Sequence, residues 1–465
     1  MGYLLLIIYN LLTPLIALGY LGFFIFSPRR SLLKYFFAEL RERLFVPSTG
    51  AATGPAFSHA TSAGELIPNS PSSSLQPSAF SLRPSPIWVH AASVGEVRAL
   101  VKFIPGLRAS FPGCEIMITT SSRSGRDEAL KLSANARLAP LDFYPLTRAF
   151  IGKIAPRALI IIETEIWPNM LFCAGRAGVP VFMINARISR KTLVLYQSLA
   201  PLTRILFSGV KRVLAQSRLD AERFMLLPGL DGKVIETGNL KHDLMGASVS
   251  GVAEVSAFIQ ASGWDGQPII TAGSTHPEEE PILINAWLEA KKSAPGLKLV
   301  LVPRHTERIA ETEAVLRGYS LPFARWSAGA VPGADCLLVD AMGLLQAFYA
   351  VSSICFVGGT LDNTGGHNLL EPALFSKPVL FGPNFKNAKL AGVALLKEKG
   401  GFLVGTAPEI AAKLSALLAD PLYLKVSGEN AAKALLSLKG ATEKNLARLK
   451  ASIPPWDTQS NLSVV

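Results

Sequence analysis

The stretch FVGGTLDNTGGHNLLEPALF, residues 356–375, joins an apolar run to two pairs of glycines and then to a lone carboxylate, Glu371. Apolar runs of this kind are typical of strands buried on both faces of a parallel sheet. Ligands of such sheets bind where the strands end, and glycines let a ligand approach the backbone closely. Glu371, predicted to lie at the start of a helix, either complements the helix dipole or accepts the hydroxyls of a ribose.

Similar apolar runs form two series along the chain, and helical stretches separate the runs. The first series is IWVHAA, EIMITT, ALIIIE, VFMINA, RVLAQ and KVIETG, and the second is IITAG, LKLVLV, DCLLVD, SICFVGG and PVLFG. Buried strands that alternate with helices favour parallel sheets. We therefore predict the α/β class, with two Rossmann-like domains facing across a cleft and an N-terminal membrane anchor helix.

Composition and chain length divide the protein into segments. A chain of 465 residues suits two domains, each with its own core. The predicted segments are a membrane anchor at 1–28, a basic amphipathic segment at 29–46, a flexible Ser/Pro-rich linker at 47–86, a first Rossmann-like domain at 87–241, an interdomain connection at 242–267, a second Rossmann-like domain at 268–440, and a C-terminal helix and tail at 441–465.

The N-terminal segment gives the clearest physical signal. Residues 1–27 carry no charged side chain and are mostly apolar. At ~1.5 Å per helical residue, that length can cross a bilayer core of ~30 Å. Arg29, Arg30 and Lys34 follow, which predicts that the remainder stays on the cytoplasmic side. A cleaved signal peptide is the competing interpretation, and Pro14 also allows a monotopic or re-entrant insertion.

Charge and metal-ligand spacing exclude several classes of function. The net charge of +12 is scattered and lacks a basic block interleaved with aromatics, so an anionic lipid or a phosphorylated ligand is a better partner than nucleic acid. The four cysteines share no metal-ligand spacing, and the six histidines include no i, i+4 pair. The chain also lacks an Asp-x-Asp pair. The sequence therefore predicts no metal.

Polar turns follow the strands of the first series. In HAASVGE the small residues Ser93 and Gly95 open a space in front of Glu96, which is either a helix-terminus carboxylate or a general base. Glu163 and Glu165 follow the third run, where the sequence fits either a hydrogen-bonded structural acid or a functional one. Arg187 and Lys241 follow later strands of the same series.

The second series has turns suited to an anionic ligand. Arg304 follows the strand LKLVLV, where a guanidinium can clamp a phosphate when no metal is present. Glu278, Glu279 and Glu280 suit the first turn of a helix.

Several motifs occur in one fixed order: HAASVGE, ETEIWPN, NARIS, GNLKHD, STHPEEE, VPRHTER, DAMG, and FVGG followed by GGHNLLEPA. This series resembles the 3-deoxy-D-manno-octulosonic acid (Kdo) transferases of lipopolysaccharide biosynthesis, and the apolar N-terminus with its basic flank is similar too. The resemblance implies an inverting, metal-independent GT-B glycosyltransferase without a cofactor. It would move Kdo from CMP-Kdo to a lipid A precursor, lipid IVA, on the cytoplasmic face of the bacterial inner membrane.

The resemblance also implies residue roles. Glu96 would be the general base, while Glu163 and Lys241 would stabilise the transition state. The implied nucleotide-binding residues are Pro303, Arg304, Met342, Gly343, Leu344, Asn368, Leu369, Leu370 and Glu371. The implied acceptor-side residues are Ser93, Gly95, Arg123 and Arg187. The chain departs from the family at Leu344, where an acid is usual, and around Arg123 in TTSSRSG.

The same sequence is compatible with other functions. Another GT-B enzyme, such as a UDP-sugar transferase or a non-hydrolysing sugar-nucleotide epimerase, would use the same fold. A membrane-tethered protein that only binds a nucleotide is the non-catalytic alternative. The motifs leave open the number of Kdo units transferred, the acylation of the acceptor, the oligomeric state and whether the anchor spans the bilayer.

Overall fold

The computed structural model describes residues 1–26, 39, 40, 43, 85–246 and 249–453, and within the first helix it describes side chains only up to residue 14. The predicted basic segment at 29–46 and linker at 47–86 lie almost wholly outside these residues. The chain forms two compact units. Unit 1 comprises Met1–Thr237 together with Thr442–Val465, and unit 2 comprises Gly238–Ala441.

Unit 1 contains a seven-stranded parallel sheet in the order β3-β2-β1-β4-β5-β6-β7. Its strands are β1 (Ile87–His90), β2 (Ile116–Thr120), β3 (Ala136–Leu138), β4 (Ala158–Ile162), β5 (Val181–Ala186), β6 (Val210–Ala215) and β7 (Val234–Glu236). Strand β1 pairs with both β2 and β4, and every residue of these three strands is buried. Burial on both faces explains why the runs are continuously apolar.

Helices cover the sheet of unit 1. They are α1 (Gly2–Phe26), α2 (Val94–Ala99), α3 (Phe103–Ser110), α4 (Arg123–Leu130), α5 (Tyr144–Ile154), α6 (Pro168–Arg176), α7 (Arg190–Ser198), α8 (Ala200–Phe207), α9 (Arg218–Met225) and, from the C-terminal end of the chain, α18 (Ala441–Ser452). The C-terminal helix returns to unit 1, where Asn445 Nδ2 donates to Thr237 Oγ1 at 3.1 Å.

Helix α1 docks on unit 1 through a few specific side chains. Leu6 is 5% exposed and joins the apolar core of this unit. Tyr9 Oη donates to Asp142 Oδ2 at 2.9 Å. Asn10 donates to Asn169 Oδ1 at 2.9 Å and accepts from the backbone N–H of Tyr144 at 2.9 Å. These contacts fix the first turns of α1 against the protein.

The predicted membrane anchor at 1–28 is helical from Gly2 to Phe26. Among the helices in the described part of the chain, however, none combines the length and apolarity that crossing a membrane requires. The N-terminal turns of α1 are attached to unit 1 through Leu6, Tyr9 and Asn10.

Unit 2 contains a second seven-stranded parallel sheet, in the order β10-β11-β9-β8-β12-β13-β14. Its strands are β8 (Ile269–Thr275), β9 (Lys298–Pro303), β10 (Phe323–Arg325), β11 (Cys336–Leu338), β12 (Ile354–Val357), β13 (Val379–Phe381) and β14 (Gly401–Leu403). Its helices are α10 (Leu240–Asp243), α11 (Val252–Ala261), α12 (Glu279–Lys291), α13 (Ile309–Gly318), α14 (Leu345–Val351), α15 (Lys389–Lys397), α16 (Ala407–Ala419) and α17 (Pro421–Leu438).

The two parallel sheets confirm the predicted α/β class and the two Rossmann-like domains. Unit 2 begins earlier than the predicted second domain, because it includes the segment 242–267 that sequence analysis assigned to a connection. That segment contributes α11, whose buried Val255 and Ile259 belong to an apolar core of unit 2.

Close packing in unit 2 depends on a glycine in β8. A Cβ atom at Gly273 would lie 2.1 Å from the hydroxyl of Tyr349 on α14. Tyr349 is itself 1% exposed. Only glycine therefore lets α14 approach this strand.

Substitution of Leu6 tests the docking of α1. Leu6→Ala should lower the free energy of unfolding of unit 1 by about 2 kcal/mol, because it leaves a cavity in the core. Leu4→Ala is the matched control, since Leu4 is 55% exposed, and its effect should stay within about 0.5 kcal/mol. Urea titrations followed by tryptophan fluorescence measure both values. Equal effects of the two substitutions would contradict the docked helix.

Candidate functional site

The polar turns of unit 1 meet at one edge of its sheet. Strands β1, β4 and β5 are neighbours, and the turn after each begins at the same end of the sheet because the strands are parallel. These turns carry five of the predicted site residues: Ser93, Gly95 and Glu96 after β1, Glu163 after β4 and Arg187 after β5.

Glu96 lies in the first turn of α2 and is 8% exposed. Its Oε2 accepts the backbone N–H of Ala92 at 2.7 Å, and its Oε1 accepts the hydroxyl of Ser93 at 3.0 Å. Ser93 in turn caps the helix, since its Oγ accepts the backbone N–H of Glu96 at 3.3 Å. The carboxylate is therefore held in one orientation, while Ser93 and Gly95 beside it are exposed.

The environment of Glu96 favours its protonated form more than water does. Burial raises the pKa of Glu96 to about 6, and the negative charges of Glu165 and Glu163 act in the same direction. Hydrogen bonds from Ala92 and Ser93 oppose the shift. A carboxylate with this pKa is still mostly ionised at neutral pH and is a stronger base than an exposed glutamate.

Glu163 occupies an unusual backbone conformation at the end of β4. Its φ is +57°, in the left-handed region that side chains rarely adopt. Its carboxylate is buried and lies 3.3 Å from Nε of Arg187. Glu165 accepts from Trp167 Nε1 at 2.8 Å, and burial raises the pKa of Glu165. The structure thus brings Glu96, Glu163 and Arg187 into one region of unit 1.

Two other predicted residues differ in position: Arg123 follows β2, the strand beside β1, whereas Lys241 lies in unit 2. Arg123 begins α4, and its Nε lies 3.2 Å from a carboxylate oxygen of Glu39. Lys241 is exposed in the short helix α10, whose N-cap Asn239 accepts the backbone N–H of Lys241 at 3.0 Å. Lys241 belongs to unit 2, although the predicted boundary placed it at the end of the first domain.

The predicted nucleotide residues of unit 2 follow neighbouring strands. Pro303 ends β9 and is buried, whereas Arg304 is exposed and its backbone N–H donates to Thr275 O at 3.1 Å. The positive charge of Arg304 acts on Glu371, which follows β12. Arg304 and Glu371 are therefore close enough to interact electrostatically.

The element that follows Glu371 differs from the predicted one. It precedes a 3₁₀ turn of four residues, Pro372–Phe375, rather than an α-helix, so dipole stabilisation is weak there. Asn368 Nδ2 donates to Glu371 Oε1 at 3.2 Å. Burial nevertheless raises the pKa of Glu371.

The remaining predicted nucleotide residues offer backbone rather than side-chain groups. Leu369 and Leu370 are buried in the apolar core of unit 2, so their side chains serve packing. Gly343 has a φ of +85°, and Leu344 immediately precedes α14 and packs against Gly251. Met342 is 81% exposed.

Sequence analysis missed how Glu279 organises this edge of unit 2. Its Oε2 accepts the backbone N–H groups of Gly359 and His276 at 2.8 and 3.1 Å, and its Oε1 accepts those of Thr360 and Leu361 at 2.9 Å each. The residue is fully buried, whereas its neighbour Glu278 is exposed. Three consecutive glutamates give no signal that distinguishes the one that accepts these bonds.

Neighbouring Glu280 is also part of the interior. Its Oε1 accepts the hydroxyls of Thr275 and Thr312 at 3.1 and 3.2 Å, and its Oε2 lies 3.8 Å from a guanidinium nitrogen of Arg308. In the part of the chain that the structure describes, no group of three or more His, Cys, Asp or Glu side chains is arranged to hold a metal.

Comparison with known proteins relates this chain to one family. Residues 38–244 match the family model described as 3-deoxy-D-manno-octulosonic-acid transferase (kdotransferase). The 3-deoxy-D-manno-octulosonic acid transferase of Bordetella pertussis is 33% identical over 386 residues, which cover 79% of this chain and 87% of that relative.

Solved structures support the fold. A glycosyltransferase from Rickettsia africae has a TM-score of 0.54 at 14% identity and covers 79% of this chain and 98% of that chain. A UDP-GlcNAc 2-epimerase from Neisseria meningitidis has a TM-score of 0.54 at 16% identity and covers 79% of this chain and 100% of that chain. At these identities the likeness concerns the fold, which is GT-B-like.

Substitution of Glu279 tests the organisation of the turn after β12. Glu279→Gln places an amide group against donors that need an acceptor, so it should lower the free energy of unfolding of unit 2 by about 3 kcal/mol. Glu278→Gln is the matched control on the exposed neighbour and should change it by less than about 0.5 kcal/mol. Chemical denaturation of both variants measures the difference. A Glu279→Gln variant as stable as its control would contradict the assigned hydrogen bonds.

Proposed function

This chain belongs to the 3-deoxy-D-manno-octulosonic acid (Kdo) transferase family and is a glycosyltransferase of lipopolysaccharide synthesis; from that premise we propose that it takes Kdo from CMP-Kdo and transfers it to lipid IVA, a lipid A precursor. We propose further that the reaction inverts the anomeric carbon and needs no metal ion.

The observation that carries the proposal is the environment of Glu96. This carboxylate is buried, oriented by Ala92 and Ser93, and has a pKa raised to about 6. Small exposed residues beside it leave room for a bulky acceptor. These features suit a general base that accepts the proton of an acceptor hydroxyl.

The proposed reaction is a single displacement. The acceptor oxygen forms a bond to the anomeric carbon of Kdo as its proton passes to Glu96. The bond from that carbon to the phosphate oxygen breaks, and its electron pair leaves with CMP. The products are the Kdo glycoside, CMP and one proton on the enzyme. Attack from the face opposite the leaving phosphate accounts for inversion.

Other residues would stabilise charge in this reaction. CMP departs as an anion, so the positive groups Arg304 and Lys241 have a role that a metal has in other enzymes. Glu163, held 3.3 Å from Arg187, would interact with positive charge that develops on the sugar. Glu371 and Asn368 would hold the ribose, while Gly343 would offer its backbone to the nucleotide.

We also propose that the enzyme works at the cytoplasmic face of the inner membrane. Several apolar side chains of α1 are 43–65% exposed: Leu4, Ile7, Ile8, Leu11 and Leu12. A helix attached by one side and apolar on the other is suited to lie in the interface of a bilayer. The net charge of +12 favours an anionic lipid surface.

Loss of the base tests the proposed chemistry. Incubation of the enzyme with lipid IVA, a CMP-Kdo supply and EDTA should add Kdo, and mass spectrometry counts the sugars. Glu96→Gln should lower the rate by about 10²- to 10⁴-fold while CMP binding persists. Glu222→Gln is the control, because Glu222 of the same unit is 57% exposed.

Three results of that experiment would each contradict one part of the proposed function. Normal turnover by Glu96→Gln would remove the assigned base. Loss of activity in EDTA that added metal restores would overturn metal independence. Tighter binding of UDP-sugars than of CMP, without Kdo transfer, would favour a UDP-sugar transferase or an epimerase.

The pH dependence of the rate tests the same carboxylate. Because the base must be ionised, kcat/KM should fall about tenfold per pH unit below the pKa of Glu96, at about pH 6. The charge of Glu165 helps to raise that pKa. Glu165→Gln should therefore move the acidic limb to lower pH. An acidic limb that does not move in this variant would mean that another group titrates.

A further inference from the structure

Three of the six histidines of the chain follow three neighbouring strands of unit 2. His276 follows β8, His305 follows β9, and His367 lies in the turn after β12. The strand order β9-β8-β12 places these three strand ends side by side. The histidines therefore collect at the edge where ligands of parallel sheets bind.

Two of these imidazoles are directly joined. Nε2 of His276 and Nε2 of His367 lie 2.9 Å apart, and the two rings are stacked with centroids separated by 5.2 Å. On the other side of His276, Nδ1 lies 3.3 Å from Oδ2 of Asp362. Asp362, His276 and His367 thus form a continuous row of polar groups.

Neighbouring residues hold Asp362 and His367 in position. Asp362 Oδ2 accepts the hydroxyl of Thr364 at 2.7 Å, which fixes the carboxylate. Gly359, whose φ is +70°, lies against the ring of His367, since a Cβ atom there would be 2.9 Å from Cδ2 of that ring. A larger residue at this position would displace the imidazole. Glu279 fixes the backbone of Gly359 in turn.

Proton positions in the row follow from its geometry. The carboxylate of Asp362 favours a proton on Nδ1 of His276. In the neutral row, Nε2 of His276 then accepts a proton donated by Nε2 of His367, so Nδ1 of His367 is an acceptor. One added proton makes His276 the donor between the rings, and Nδ1 of His367 becomes a donor. Among the described residues, none hydrogen-bonds to Nδ1 of His367.

Burial and the neighbouring cations oppose protonation of His367. Burial lowers the pKa of His367 to about 4; the positive charges of His276, Arg304 and His305 lower it too, while Asp362 raises it. A phosphate beside these groups would raise the pKa of His367, because it would neutralise the cations and attract the added proton.

We propose that the row Asp362–His276–His367 binds the phosphate of the donor nucleotide, with Nδ1–H of His367 donating to a phosphate oxygen. Arg304 supplies the permanent charge beside it, since it acts electrostatically on both His367 and Glu371. His367 contacts the ligand, and Asp362 and His276 are positioning residues. The row takes up one proton from solvent when the phosphate binds. This inference rests on the proposed function only for the identity of the nucleotide.

The same donor would serve the departing group. When the bond between sugar and phosphate oxygen breaks, negative charge on the phosphate increases. A hydrogen bond from His367 Nδ1–H strengthens as that charge develops, which is the condition for lowering a barrier. The proton remains shared between His367 and the phosphate, so no further reactant is needed.

The test compares CMP with cytidine, which lacks the phosphate. Calorimetric titration of the full chain should show that His367→Asn weakens CMP binding about tenfold or more and leaves cytidine binding unchanged. His276→Gln should weaken CMP binding less, because it removes the relay but keeps the contacting ring. Thermal melts establish that both variants are folded.

Nitrogen NMR of labelled histidine reports the protonation of His367. If the row had only a structural role, CMP would not change that protonation. In the wild type, CMP should raise the pH at which His367 titrates and shift its Nδ1 signal toward the protonated form, whereas cytidine should not. In His276→Gln, that response to CMP should diminish. Equal losses of CMP and cytidine affinity in His367→Asn, or an Nδ1 signal unchanged by CMP, would overturn the inference.

These measurements also separate the inference from the proposed reaction. They use CMP alone and require no Kdo transfer. A response of His367 to CMP in an enzyme that adds no Kdo would leave the phosphate site standing and remove the proposed reaction. Kdo transfer with an unresponsive His367 would do the opposite.

Discussion

Burial of both sheet faces is the constraint on which the remaining structure depends. It makes central strands such as β4 and β12 apolar throughout, so polar side chains accumulate where these strands end. Because all strands of each sheet are parallel, those ends lie along one edge. Glu96 and Glu163 meet in unit 1 for this reason, and Arg304, His367 and Glu371 meet in unit 2. The chemistry is concentrated by the same burial that stabilises the domains.

Burial of polar groups at these strand ends costs free energy, and hydrogen bonds in each unit offset that cost. A buried carboxylate is costly unless donors surround it. Glu279 accepts four backbone N–H groups and thereby shapes the glycine turn that carries His367. Glu96 accepts only two donors and lies near two other carboxylates, so its pKa is raised to about 6. Glu279 therefore stabilises the turn, whereas Glu96 can still accept a proton.

Hydrogen bonds connect α1 to the turn that contains Glu163. Asn10 contacts Asn169, which belongs to the ETEIWPN motif that also contains Glu163. Asp142 accepts from Tyr9 and from the backbone N–H groups of that same turn. The helix and the carboxylate turn are therefore parts of one hydrogen-bonded assembly, and the proposed contact with lipid would lie beside it.

The sequence by itself determined the class of fold, the family and the positions of the turns, because a run buried on both faces leaves a continuous apolar signal and the motifs keep a fixed order. It did not determine the strands β3, β10 and β14, which have three residues each and are only partly buried. Tertiary structure alone decided that Glu279 rather than Glu278 anchors the glycine turn. It also decided that α1 docks through Leu6 and that His276 meets His367. The physical reason is that each of these outcomes depends on partners distant in the chain, whose positions no local pattern encodes.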